Sequence, residues 1–170
     1  MSPAEREADS ARARQLLAAQ PEWLAARSVL FYAPMAEELD VWPLLAEALA
    51  AGKRVGLPRF VPEHKTYLAC EVRNLGLDVM PGHFGIREPA DYCAAFSLKW
   101  LDLILVPGVA FDLQGRRLGR GKGYYDQLLA GLRGVRCGVA FEGQIVDEVP
   151  VTPQDMLMNC ILTPARWIGP

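Results

Sequence analysis

The sequence predicts an α/β fold whose mainly parallel central sheet is covered by helices on both faces. Three observations carry that expectation. Short apolar runs suited to strands alternate with helix-forming stretches along the chain. One run, Trp100-Leu-Asp-Leu-Ile-Leu-Val-Pro107, is nearly unbroken and leads into proline and glycine, as in a strand buried on both faces. A basic, glycine-rich loop then leads from that run to a helix start, the place where open α/β sheets bind anions. At 170 residues, 51% of them hydrophobic, the chain suits one compact domain with a sizeable core.

The elements follow in order. Ser2-Pro-Ala-Glu5 fits a capping box, with serine as N-cap, proline first in the helix and glutamate third. It opens a helix to about Ala19 that is rich in alanine and in charge pairs four residues apart. Ser28–Ala33 reads as the first strand. Asp40 is placed to cap the next helix, with Pro43 in its first turn. Val41, Leu45, Ala48 and Leu49 share a face there, and Gly52 ends it. Arg54–Pro58 and Tyr67–Val72 are the second and third strands, and Asn74–Ala90 reads mostly as loop. Leu101–Val106 is the central strand. A helix starts at Gly123 and stops at Gly131, Val135–Ala140 is a further strand, and Cys160–Thr163 is a last short one.

The stretch from Gly115 to Gly123 holds four cations (Arg116, Arg117, Arg120, Lys122), four glycines and no acid. The whole chain carries 18 basic against 20 acidic residues, so this segment of +4 sits on a remainder near −6. Glycines let the backbone approach a ligand and turn successive N–H groups inward, and the cations supply fixed positive charge. A Gly/Arg loop taken alone reads first as a solvated flexible segment; its place between a buried strand and a helix turns the reading to a phosphate site. It is not a Walker A loop, because Lys122 is followed by glycine rather than serine or threonine. Nor is it a dinucleotide fingerprint, since Gly119, Gly121 and Gly123 are evenly spaced two apart.

Other function classes are disfavoured. The cations do not spread along a face, which argues against a general nucleic-acid surface. No apolar run reaches the length of a membrane span, and the charged N-terminus lacks the apolar stretch of a signal peptide. Cys70, Cys93, Cys137 and Cys160 form no CxxC pair, and with only His64 and His83 beside them they suggest no zinc site or disulfide framework. Buried, reduced thiols in a cytoplasmic protein are expected. No Ser/His/Asp or Cys/His arrangement supports a protein nucleophile.

Several carboxylates and rings remain open to two readings. Glu37, Glu38 and Asp40 follow the first strand at the ligand-binding edge, either as helix-dipole partners or as acceptors for a donor-rich heterocycle such as a pterin edge. Asp126, just inside the helix after the basic loop, is either a surface aspartate or a Mg²⁺ ligand beside a phosphate. Tyr124 and Tyr125 either pack or face a ligand.

The string Leu103–Asp126, with its PGVAFD and RLGRGKGYYD segments, closely resembles the 5-formyltetrahydrofolate cyclo-ligase (methenyltetrahydrofolate synthetase) family. Phe31-Tyr-Ala-Pro-Met-Ala-Glu-Glu-Leu-Asp40, Gly52–Arg59, Gly85-Ile-Arg-Glu-Pro89 and Val139-Ala-Phe141 follow in that family's order, and the resemblance runs from about Ser2 to Thr163. It implies a single three-layer α/β/α domain spanning residues 1–170, and ATP- and Mg²⁺-dependent conversion of 5-formyltetrahydrofolate to 5,10-methenyltetrahydrofolate. It implies ATP contacts from Arg117, Leu118, Gly119, Arg120, Gly121, Lys122, Gly123, Tyr124 and Tyr125, with Arg120 and Lys122 catalytic. Glu38, Met35 and Phe84, together with Arg120 and Tyr124, are implied for the folate, and Asp126 and Asp155 for Mg²⁺. A monomeric cytoplasmic enzyme acting on a folate that carries one or several glutamates, with no nucleic acid or membrane partner, completes the expectation. In one respect the chain departs from the family, whose members usually begin with a further helix bearing a Lys-x-x-x-Arg pair directed at the ATP phosphates. Arg6, Arg12 and Arg14 do not reproduce that spacing. The alternative is therefore a non-catalytic folate- or nucleotide-binding relative.

Overall fold

The computed structural model describes residues 1–169. The chain runs α1 (Pro3–Ala18), α2 (Pro21–Ala25), β1 (Ser28–Leu30), α3 (Trp42–Ala50), β2 (Arg54–Val61), β3 (Thr66–Val72) and α4 (Leu75–Asp78). It continues through β4 (Val79–Pro81), β5 (Arg87–Pro89), β6 (Leu103–Pro107), β7 (Ala110–Phe111), β8 (Arg117–Leu118), α5 (Tyr124–Leu129), β9 (Val135–Val139), β10 (Cys160–Leu162) and β11 (Trp167–Ile168). Seven strands form one sheet in the order β11-β10-β9-β6-β1-β2-β3. The inner five are parallel, and the two edge strands, β3 and β11, run antiparallel to their neighbours. The expected α/β fold with a mainly parallel sheet is therefore present.

Burial divides by strand alternation. On β6, Leu103 and Leu105 enter the core beneath α1–α3 with Leu17, Trp23, Leu44 and Leu45. Ile104 and Val106 point to the other face and meet Phe111, Leu128, Leu129 and Ile161. An unbroken apolar strand is what two covered faces require. All four cysteines are buried free thiols, Cys137 and Cys160 in the core under α1–α3 and Cys70 and Cys93 in a separate small cluster with Ala90. Among the described residues no helix is long and apolar enough to cross a membrane.

The capping box of α1 is formed as expected, Ser2 and Glu5 each accepting the other's backbone N–H. Elsewhere the boundaries move for physical reasons. β1 stops at Leu30, and Phe31, Tyr32 and Ala33 stay buried but leave the ladder for the ligand-binding edge. β2 continues past Pro58 to Val61, because β1 pairs only as far as Gly56 and Pro58 falls where β2 has no second neighbour. α3 starts one residue later than Asp40 would set it, with Val41 at the cap; Asp40 still accepts the Trp42 N–H at 3.0 Å. The stretch expected to be mostly loop holds α4 and the β4–β5 hairpin instead, each too short to show a period in sequence. At the hairpin tip Phe84 sits in the left-handed region (φ 60°, ψ 22°), a conformation that costs a non-glycine residue about 1–3 kcal/mol.

Candidate active site

A cavity of about 560 Å³ opens at the edge of the sheet where the parallel strands end. It lies between the β1–α3 loop, the β4–β5 hairpin and the loop joining β6 to α5. All fourteen residues that the resemblance implicates line it: Met35 and Glu38 from the first, Phe84 from the second, and Arg117 to Asp126 with Asp155 from the third and beyond. Sequence reasoning missed Tyr32, Tyr67 and Glu88, which line it too. Glu88 belongs to the Gly85–Pro89 element; nothing local marks Tyr67, which reaches the cavity only because β3 returns antiparallel beside β2.

The basic loop is a built structure. β7 and β8 pair to narrow its base, and the Arg117 guanidinium, only 7% exposed, donates to the Pro107 carbonyl at 2.7 Å. Arg117 also lies 5.3 Å from the Tyr125 ring centre and 3.9 Å from the Asp126 carboxylate. Burial lowers its affinity for a proton, and Asp126 chiefly opposes that shift. Gly123 takes φ 67° where the loop turns into α5, a conformation open to glycine at little cost. Arg120 and Lys122 stay exposed on the rim. Lys122 Nζ lies 5.2 Å from the Phe84 ring centre and 5.9 Å from that of Tyr124, within cation–π range, and makes no ion pair among the described residues.

Gly115 closes the base of the loop at φ 82°, its N–H donating to Asp112 and its carbonyl accepting the Met158 N–H at 2.7 Å. A Cβ there would land on the Met158 carbonyl oxygen. Gly115→Ala is therefore expected to cost at least about 2 kcal/mol, from the strained dihedral plus a backbone displacement. Urea denaturation measures it, and a loss below half that size would contradict the packing described.

On the opposite wall Glu38 is largely buried. Burial raises its carboxyl above the usual range, against the lowering pull of the Met35 N–H bonded to Oε2 at 2.9 Å and of Arg120 nearby. Arg120 joins the two walls: its guanidinium lies 2.9 Å from Glu37 Oε1 and 3.8 Å from Glu38 Oε1. Between them stands an aromatic group in which Phe60 meets Tyr67, His83, Phe84 and Tyr124 at 5.0–5.8 Å. Burial, then the Glu38 charge, raise the Tyr125 hydroxyl so that it stays neutral. Glu88, 5% exposed, accepts the Phe60 N–H at 3.3 Å and pairs with His83 Nδ1 at 3.2 Å.

Two aspartates border the side formed by the basic loop. Asp126 Oδ1 lies 3.4 Å from the Met156 N–H, and Asp155 Oδ2 accepts from Thr152 at 2.6 Å. Each leaves one oxygen without a protein hydrogen bond among the described residues. The two free carboxylate oxygens fit the donor set of Mg²⁺, which takes one or two carboxylates and fills its shell with phosphate oxygens and water.

This geometry has close counterparts. The chain is 29% identical over 170 residues to the 5-formyltetrahydrofolate cyclo-ligase of Escherichia coli K12, covering 98% of this chain and 93% of that protein. It is 33% identical over 158 residues to the 5-formyltetrahydrofolate cyclo-ligase of Mycolicibacterium smegmatis, covering 85% and 77% of the two. The NMR structure of the 5,10-methenyltetrahydrofolate synthetase of Aquifex aeolicus superposes with a TM-score of 0.87 at 34% identity, over 98% of this chain and 84% of that one. The structure of a 5,10-methenyltetrahydrofolate synthetase from Mycoplasma pneumoniae, 21% identical, shares the fold with a TM-score of 0.75 over 96% of this chain and 90% of that one. The model of the 5-formyltetrahydrofolate cyclo-ligase family matches residues 1–164, and the chain belongs to that family.

Proposed function

We propose that this cavity converts 5-formyltetrahydrofolate to 5,10-methenyltetrahydrofolate with consumption of ATP. One observation above all supports the reading: a buried carboxylate suited to a pterin edge and a basic glycine loop suited to a triphosphate face one cavity, bridged by Arg120. The chemistry needs no protein nucleophile. The γ-phosphoryl group passes to the formyl oxygen with ADP as leaving group, the N10 lone pair attacks the activated carbon, the N10 proton goes to water, and the C–O bond breaks with phosphate as leaving group. The protein's work is placement and charge stabilisation.

Glu38 accepts N–H donors of the pterin and fixes its depth. Phe84 and the tyrosines cover its apolar faces and exclude water. Amides of Gly119–Gly123 and the Lys122 ammonium hold the transferred group, and Arg120 moves from Glu37 toward the developing charge. Asp126 and Asp155 would hold Mg²⁺, which supplies charge neutralisation on the phosphate oxygens. Methenyl-folate absorbance appearing from 5-formyltetrahydrofolate only when ATP and Mg²⁺ are both present is the expected result. No turnover by the full chain would overturn the proposal.

The raised Glu38 carboxyl sets a pH dependence. A raised folded-state pKa means that the proton returns, as pH falls, sooner than on an ordinary glutamate, and the protonated form is a poorer acceptor. Folate affinity is therefore expected to fall on acidification, starting above the usual carboxylate range. Glu38→Gln should weaken folate binding by about tenfold and flatten that profile. Calorimetric titrations across pH test both, and an unchanged profile in the variant would assign the titration elsewhere.

A further inference from the structure

One face of α1 carries Arg6, Ser10 and Arg14 at successive four-residue steps, so the three side chains stack along the helix. All three end on the backbone of the loop that presents Glu38. Arg6 Nε donates to the Glu38 carbonyl at 2.7 Å, and its Nη2 to the Met35 carbonyl at 3.1 Å. Ser10, fully buried, accepts the Asp40 N–H at 2.9 Å through its hydroxyl, and Arg14 donates to the Asp40 carbonyl at 2.8 Å. From beneath, the Tyr32 hydroxyl donates to the Leu39 carbonyl at 2.8 Å. Five backbone groups between Met35 and Asp40 are thus held by side chains outside the loop. Because α1 buries only Ser10, Ala13 and Leu17, its place against the domain depends on this polar seam as much as on apolar contact.

A binding carboxylate is useful only if its position is fixed before the ligand arrives; otherwise the ligand's contacts are spent on ordering it. Glu38 is held through its own main chain: Arg6 grips both ends of the Met35–Glu38 turn, and that turn is closed by the Glu38 N–H to the Met35 carbonyl at 3.0 Å and by the Glu38 carboxylate to the Met35 N–H. We infer that Arg6, braced by Ser10 and Arg14, is a positioning residue for folate recognition, acting through Glu38 and not on the ATP phosphates. The inference deepens the folate reading of the cavity and rests on it.

The test uses the full chain and four variants: Arg6→Met, Arg6→Lys, Glu38→Gln and the double variant Arg6→Met/Glu38→Gln. Dissociation constants for 5-formyltetrahydrofolate, and separately for ATP with Mg²⁺, are measured by calorimetry. Arg6→Met is expected to bind the folate about tenfold more weakly, as only part of the loss of two charge-assisted hydrogen bonds reaches the ligand through the loop, with ATP affinity changed by less than about twofold. Arg6→Lys, which can reach only one carbonyl well, should recover part of the loss. In the double variant the losses should multiply only in part, because Arg6 reaches the folate chiefly through Glu38 and otherwise only through Met35, the other end of the same turn. Losses that multiply in full, an ATP affinity that falls as far as the folate affinity, or an unchanged folate affinity in Arg6→Met would each overturn the inference. If the unmodified chain binds no 5-formyltetrahydrofolate, the functional reading fails first. Amide hydrogen exchange then decides the positioning claim by itself: faster exchange at Met35 and Glu38 in Arg6→Met sustains it, and unchanged exchange overturns it.

Discussion

Lys122→Met is expected to lower kcat/KM for ATP by about a hundred- to a thousandfold, the loss typical when one donor to developing charge is removed. Among the cations of the loop it is the one positioned to act without prior rearrangement. Arg116 is tied to Glu148 at 2.9 Å. Arg117 is buried under the loop and spends its Nε on Pro107. Arg120 must first leave Glu37. Lys122 is held only by the faces of Phe84 and Tyr124, contacts worth about 0.5–1 kcal/mol at an exposed site, which a phosphate easily outcompetes. Its removal should leave stability almost unchanged, since it buries little and pairs with no acid. Steady-state kinetics beside a thermal melt measures both. A loss smaller than about threefold would mean that the amides and Arg120 hold the phosphate unaided.

Arg120 should behave differently. The Arg120→Ala variant frees Glu37, whose carboxyl is held below the usual range by its own backbone N–H and by Arg120, and removes a positive charge beside Glu38. Both ligands therefore feel its loss, whereas Lys122→Met should act on ATP alone. Comparing the two variants for folate and ATP affinity separates a residue at the junction of two subsites from one that serves a single subsite.

How much of this was legible depended on whether the information was local. The α1 capping box and the buried β6 run could be read because each signal lies within one element. The basic side of the cavity was legible for the same reason: Arg117 to Asp126 is one continuous segment. The β3 strand was read but not its antiparallel direction, which the alternation along a strand does not encode, and the β4–β5 hairpin was missed because three-residue strands are too short to show a period. Tyr67 and Glu88 were lost with them. Glu38, Met35 and Phe84 were pointed to by resemblance, while the reason Glu38 is fixed lies in Arg6, Ser10 and Arg14, of which the two arginines were weighed only as candidates for the phosphate-directed pair and Ser10 carried no signal.

Asp112 carries the second large effect. It follows β7, is fully buried, and is surrounded by donors: the N–H groups of Gln114 and Arg116 at 3.0 Å reach Oδ1, and that of Val149 at 2.9 Å reaches Oδ2. One carboxylate thereby shapes the turn that starts the basic loop and ties it to the segment ending at Pro150, which lines the cavity. Asp112→Ala strands three amide donors in a site that water does not reach. At about 1–3 kcal/mol for each buried unsatisfied group, partly relieved by local relaxation, the expected loss is about 3–5 kcal/mol. Asp112→Asn is nearly the same size and keeps an acceptor on one side only, so it should lose roughly half as much. Urea denaturation gives both values, and ATP titration of whatever fraction stays folded gives the functional consequence. If Asp112 acts by shaping the loop, the asparagine variant will bind ATP more weakly at temperatures where it is still fully folded. A variant that loses stability and keeps full ATP affinity would show that the loop takes its shape from Gly115 and the β7–β8 pairing, with Asp112 serving only the core.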